Sequence, residues 1–101
     1  MSDLEVTVEL ENAVAVHATG SVDGNTAPQL QEPLLRAAEN GAVQFDLAKV
    51  PYMSSAGLRL LLLAAKALQK RGERLRVINV AAQIYTVFNI AGFTSFIDIS
   101  S

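Results

Sequence analysis

Two adjacent serines, Ser54 and Ser55, stand directly before a strongly apolar stretch that opens Ala56-Gly57-Leu58. Ahead of them Val43, Phe45 and Leu47 alternate as a strand does, and Pro51 stops any helix from running through. One serine or the other therefore sits where a helix N-cap belongs. A hydroxyl there lies at the positive end of a helix, on rigid elements, where a phosphate is tolerated. Serine before an apolar helix is most often only a cap, contributing about 0.5–2 kcal/mol. Few other groups could join it in chemistry. His17, the only histidine, shares a strand face with Ala15 and Thr19, opposite Val14, Val16 and Ala18, and receives no role. A hydrolase built on Ser55, His17 and an Asp is disfavoured. The nucleophile elbow needs Gly-x-Ser-x-Gly, and Met53 stands where its first Gly belongs.

Composition narrows the classes further. The chain has 101 residues, 50% of them hydrophobic, enough for one domain with a single core. It has no cysteine, which excludes disulfides and thiolate metal sites. The run Leu58 to Leu68 is too short to span a membrane and is interrupted by Arg59 and Lys66. The opening Met-Ser-Asp-Leu-Glu lacks the basic start and apolar run of a secretory signal, so a cytoplasmic protein without membrane insertion is expected. Net charge is −2, and the modest cationic cluster from Lys66 to Arg76 is not a nucleic-acid footprint. That cluster reads as a solvated helix end or as a surface for an acidic partner.

The elements that must position the serines follow in order. Leu4, Val6, Val8 and Leu10 alternate with polar residues as a half-buried strand, and Glu11-Asn12 signals a turn. Ala13 to Thr19 is a second strand, antiparallel to the first. Gly20-Ser-Val-Asp-Gly24 is a loop. Thr26-Ala-Pro-Gln29 has the form of a capping box, opening a helix whose Leu30, Leu34, Ala37 and Ala38 share a face and which Asn40-Gly41 ends. Pro33 predicts a kink or a later start. Ala42 to Leu47 is a central strand. Leu75, Val77 and Val80 mark a fourth strand, and Asn79 offers a cap. Ile84, Val87, Phe88 and Ala91 form the buried face of a last helix, closed by Gly92-Phe93, and Phe96 to Ile99 is a short edge strand. The order β-β-α-β-α-β-α-β defines an α/β fold, a mixed sheet of four to five strands covered by helices.

On a helical wheel of about 100° per residue, Leu58, Leu61, Ala64, Ala65 and Leu68 face the sheet, with Arg59, Lys66 and Lys70 opposite. Leu62 and Leu63 fall among those cations. Neighbouring elements could cover them; otherwise they form, with the basic residues, an apolar and cationic patch that begins at the serines and fits a docking partner.

Val50-Pro-Tyr-Met-Ser-Ser-Ala-Gly-Leu58 resembles the signature loop of STAS domains, the family of bacterial anti-sigma factor antagonists. Gly20, Val22 and Asp23 resemble the loop that the family places beside its phosphorylatable serine. Asp46-Leu47, Arg71-Gly72 and Ala91-Gly92-Phe93 extend the likeness over residues 1–101. The resemblance implies a single STAS domain, monomeric and without cofactor or enzymatic activity. It places the phosphorylated serine two residues before the motif's Gly, on Ser55, with Ser54 as the lesser candidate. It implies partner contacts at Asp23, Ser54, Ser55, Ala56 and Gly57, to which the wheel adds Arg59, Leu62 and Leu63. The implied partners are an anti-sigma factor that is also a serine kinase of the GHKL type, bound by the unphosphorylated form, and a resetting serine phosphatase of the PP2C type. The rival role is a non-switching STAS module of another assembly, such as a lipid-transport complex or a stress-sensing scaffold. Two positions depart from the pattern: Ser54 replaces a frequent Asp, and Arg59 a frequent Gly.

Overall fold

Alternating apolar residues give strands β1 (Glu5–Leu10), β2 (Val14–Thr19), β3 (Val43–Lys49), β4 (Leu75–Ile78) and β5 (Ile97–Ile99). Between them run helices α1 (Ala27–Asn40), α2 (Ser55–Gln69) and α3 (Ala82–Ile90), with a 3-10 turn at Phe93–Ser95. This computed structural model describes residues 4–10, 14–95 and 97–100. The expected turn at Glu11-Asn12, the start of the second strand at Ala13 and the start of the last strand at Phe96 lie outside them.

The strands form one five-stranded sheet in the order β1-β2-β3-β4-β5. β1 and β2 are antiparallel; every later pair is parallel. Each parallel step needs a crossover, and α1, α2 and α3 supply them. β3 is central, as its apolar content requires.

Register then aligns the apolar rows. Val16 lies opposite Phe45, Phe45 opposite Val77, and Leu75 opposite Ile97, and all of these are buried. The alternate residues Ala15, His17, Gln44, Asp46 and Ile78 are half-buried, and Thr19, Ala48, Arg76 and Asp98 are exposed. The helices therefore cover one face of the sheet and leave the other open. Val8 shares the row of Val16 but is exposed at the sheet edge.

α1 runs unbroken through Pro33, so the later start does not occur. Its buried Leu30, Leu34, Ala37 and Ala38 are those expected from the spacing. The capping box at Thr26 is not made. Thr26 Oγ1 instead donates to Ser21 O at 2.8 Å and accepts from Asp23 N–H at 3.0 Å, turning back into the loop. Asp23 orders the turn ahead of the helix: its Oδ1 accepts from the N–H groups of Asn25 and Thr26 at 2.9 and 3.0 Å.

α3 also departs from expectation. Only Ile84 and Phe88 are buried, while Val87 and Ala91 are exposed. A nine-residue helix that is apolar on most sides gives no sharp wheel, so spacing assigned it too wide a buried face. Gly92, at φ 78°, closes it as C-cap chemistry predicts. The chain then folds back so that Phe93 stacks on Phe88, ring centroids 5.6 Å apart. Asn79 does not cap this helix; Ala81 occupies that position. At the far ends of α1 and α2, Arg71 Nη1 donates to Ala38 O at 2.8 Å, joining the two helices.

Candidate functional site: the β3–α2 loop and the head of α2

The two serines have separate jobs. Ser54, half-buried and extended at φ −85°, ψ 178°, is the N-cap of α2, and its Oγ accepts from Ala56 N–H at 3.2 Å. Ser55 is the first helical residue and is exposed. Its hydroxyl makes no hydrogen bond to another described residue and projects at the positive end of α2. A phosphate on Ser54 would break a cap; one on Ser55 would not.

The loop is strapped to its neighbour by backbone. Val22 N–H donates to Tyr52 O at 2.9 Å and Ser54 N–H to Val22 O at 2.7 Å, so Val22 and Met53 form a parallel bridge outside the main strands. Gly20 N–H donates to Lys49 O at 2.9 Å just before it. These bonds bring together the Gly20–Asp23 and Ser54–Ser55 segments that sequence alone had only placed in order. Asp23 thereby sits one residue from the strap. Among the described residues no hydrogen bond links its carboxylate to either serine; it is engaged in the turn that leads into α1. The N–H groups of Thr26 and Asn25 hold its carboxyl below the ordinary value against a smaller opposing effect of burial.

Gly57 makes the strap possible. It is buried under the bridge, and a Cβ there would lie 2.6 Å from Met53 Cγ and 2.8 Å from Val22 Cγ1. Gly57→Ala should therefore prise the loops apart despite a gain of up to about 1 kcal/mol in helix propensity. Overpacking costs about 1–3 kcal/mol. The expected net result is a lower urea midpoint and altered amide shifts at Val22 and Met53; an unchanged midpoint and spectrum would refute the close approach.

On α2 the buried residues are Gly57, Leu60, Leu61, Ala64, Ala65 and Leu68. Leu60 was missed, and Leu58, expected to face the sheet, is half-buried on the flank nearer α3. Leu62 is half-buried and Leu63 is 42% exposed, beside the exposed Arg59, Lys66 and Lys70.

His17, given no role from the sequence, has a partner. Its Nδ1 lies 3.1 Å from Asp46 Oδ2 on the open face of the sheet, away from the helices and Ser55. Asp46 Oδ1 accepts from Asn79 Nδ2 at 3.0 Å and from Ala48 N–H at 2.9 Å. Asn79, at φ 57° rather than at a helix cap, is thus held by Asp46. The pairing could be found in sequence only by registering His17 opposite Asp46 across β2 and β3. Burial raises the Asp46 pKa, but the Asn79, Ala48 and His17 contacts outweigh it and leave the carboxyl below its ordinary value. Stability from a lowered carboxyl is complete above the unfolded-state value and fades as pH falls through the folded-state one. Asp46→Asn should accordingly unfold more readily than the parent at neutral pH, and the gap in urea midpoint should narrow below about pH 4. A gap independent of pH would exclude this linkage.

The site is thus a capped serine helix, strapped to the loop after β2, on a sheet covered on one face. The sequence model of the STAS domain family matches residues 6–101, and the chain belongs to that family. It is 36% identical over 92 residues to the anti-sigma-B factor antagonist of Bacillus subtilis (strain 168), covering 90% of this chain and 84% of that one. Its fold is similar to that of an anti-sigma factor antagonist from Mycobacterium paratuberculosis, with TM-score 0.86 and 21% identity over 96% of this chain and 85% of that one. It is also similar to the Bacillus protein SpoIIAA, solved both unphosphorylated and phosphorylated. The TM-scores are 0.79 and 0.74 at 18% identity, covering 96% of this chain and 89% and 92% of those chains.

Proposed function

We propose that this protein is an anti-sigma factor antagonist whose binding is switched at Ser55. The unphosphorylated form binds a cytoplasmic anti-sigma factor that is also a GHKL-type serine kinase, and so frees a sigma factor. The kinase transfers the γ-phosphoryl group of ATP to the Ser55 hydroxyl, releasing ADP and a proton, and the complex separates. A PP2C-type serine phosphatase hydrolyses the phosphoserine and resets the switch. The partner-facing surface comprises Asp23, Ser54, Ser55, Ala56, Arg59, Leu62 and Leu63, with Asp23 holding the neighbouring loop; Gly57, expected among the contacts, is buried and acts beneath that surface by letting the two loops meet.

The observation that carries this reading is the division of labour between the serines: Ser54 caps α2, and Ser55 stands exposed beside it. The name of the Bacillus subtilis relative supports the antagonist class, and the existence of a phosphorylated SpoIIAA supports the covalent switch. The test is to incubate the protein with soluble extract of its host and Mg-ATP and to map phosphate by mass spectrometry. Phosphate on Ser55, absent in Ser55→Ala and incompatible with partner capture, is expected. A bare Ser55 in a protein that still captures a stable partner would replace the switch with a non-switching module.

A further inference from the structure

Between the β3–α2 loop, α2 and α3 lies a groove of about 200 Å³ lined by Tyr52, Met53, Leu58, Gln83, Ile84 and Val87. Met53 and Ile84 are buried and form its floor, and Leu58 is half-buried along one wall. Tyr52 and Val87, 54% and 42% exposed, form its rim. Gln83 Nε2 donates to Pro51 O at 3.2 Å and ties α3 to the loop beside the groove. Tyr52 and Leu58 bracket Ser55 in the chain, so a partner that covers Ser55 reaches the groove mouth.

The charge on the two helices that wall the groove is one-sided. Helix α2 contains Arg59 and Lys66 but no acidic residue, Lys70 follows it, and all these cations are exposed. Helix α3 carries no charge at all. The whole chain is nevertheless net −2, with acidic side chains such as Glu32 and Glu39 on α1. A basic flank beside an uncharged apolar groove is complementary to acidic side chains around an apolar anchor.

We propose that this groove receives a large apolar side chain from an acidic segment of the partner that covers Ser55. The proposal rests on the reading of the Ser55 loop as partner-facing. The anchor enters between Tyr52, Leu58 and Val87, and carboxylates on the same segment meet Arg59 and Lys66. Phosphate on Ser55 then repels those carboxylates as well as the surface directly above it.

The test uses the full isotope-labelled chain and two synthetic amphipathic helical peptides, one of Glu and Leu and one of Lys and Leu. The acidic peptide is expected to shift amides of Tyr52 to Leu58 and Gln83 to Val87 saturably, and the basic peptide to leave them in place. Val87→Gln, a rim change that leaves the core intact, should weaken the acidic peptide roughly tenfold or more, and Ser55→Glu should weaken it too. Equal response to both peptides, or shifts elsewhere on the surface, would overturn the proposal without touching the phosphorylation of Ser55, which mass spectrometry reads separately. Shifts at the groove that depend on protein concentration alone would assign it to a second copy and overturn it as well. Groove binding that ignores Ser55→Glu would detach the occupant from the Ser55 partner and overturn the shared-partner claim.

Discussion

Phosphorylation of Ser55 is expected to cut affinity for the anti-sigma partner at least a hundredfold while the domain stays folded. A hundredfold loss is about 2.8 kcal/mol, since each tenfold is about 1.4. The modification adds about −1.5 to −2 charges at pH 7, and like charges juxtaposed in an interface cost several kcal/mol. In the free protein the same charge sits at the head of α2, where the helix returns about 0.3–1 kcal/mol at an exposed site. Arg59, one helical turn on and also exposed, adds attraction. Calorimetric titration of the partner with both forms, alongside their thermal melts, checks both halves. Ser55→Ala should bind as the unmodified protein does, and Ser54→Ala should lose about 1 kcal/mol of stability yet still accept phosphate on Ser55. Phosphorylated protein that binds within a few-fold of the unmodified form would refute the switch.

Phe88→Ala is expected to produce the largest loss of stability of any change considered, about 3–5 kcal/mol. Phe88 is fully buried, stacks on Phe93, and is one of only two buried residues in α3. Ile84, the half-buried Tyr85 and the bond from Gln83 to Pro51 O are then left to hold the helix. For a domain of this size the Tm should drop by about 12 °C or more. Hydrogen exchange in α3 should rise before that in α2 or β3, because α3 loses its own anchor first. A variant whose Tm falls by only a few degrees would mean that α3 is secured by contacts other than this aromatic pair.

Much of this architecture was legible in residue spacing. Strand alternation in Val14-Val16-Ala18 and Val43-Phe45-Leu47 identified the buried rows, and Pro51 with Ser54 located the head of α2. The covered face was legible for α1, where apolar and polar residues separate cleanly. It was blurred in α3, which offers apolar residues on most sides and so no contrast to read. Side-chain commitments that depend on register were not visible. His17 with Asp46, and Asp46 with Asn79, join residues far apart in the chain through sheet pairing. Thr26 looked like a cap because its local sequence is right, but its hydroxyl is drawn back into the loop by Ser21 O and Asp23 N–H, and Gln29 N–H bonds to the Thr26 carbonyl instead. At the site, the signature loop marked Ser55, whereas the division between Ser54 and Ser55 and the groove beside them required coordinates.

The bridge between Val22 and Met53 means that Ser55, the proposed acceptor, is presented by tertiary structure. A peptide cut from residues 46–63 would hold every side chain of the signature, yet it would lack Val22, which closes over Gly57, and the strand pairing that aims the loop. Chains still emerging from synthesis, or unfolded by stress, are in the same condition. An enzyme that recognises the assembled surface would pass over them and modify only finished molecules. The pool of modifiable serine would then count native domains, so the signal carried by the switch would track folded protein rather than total protein.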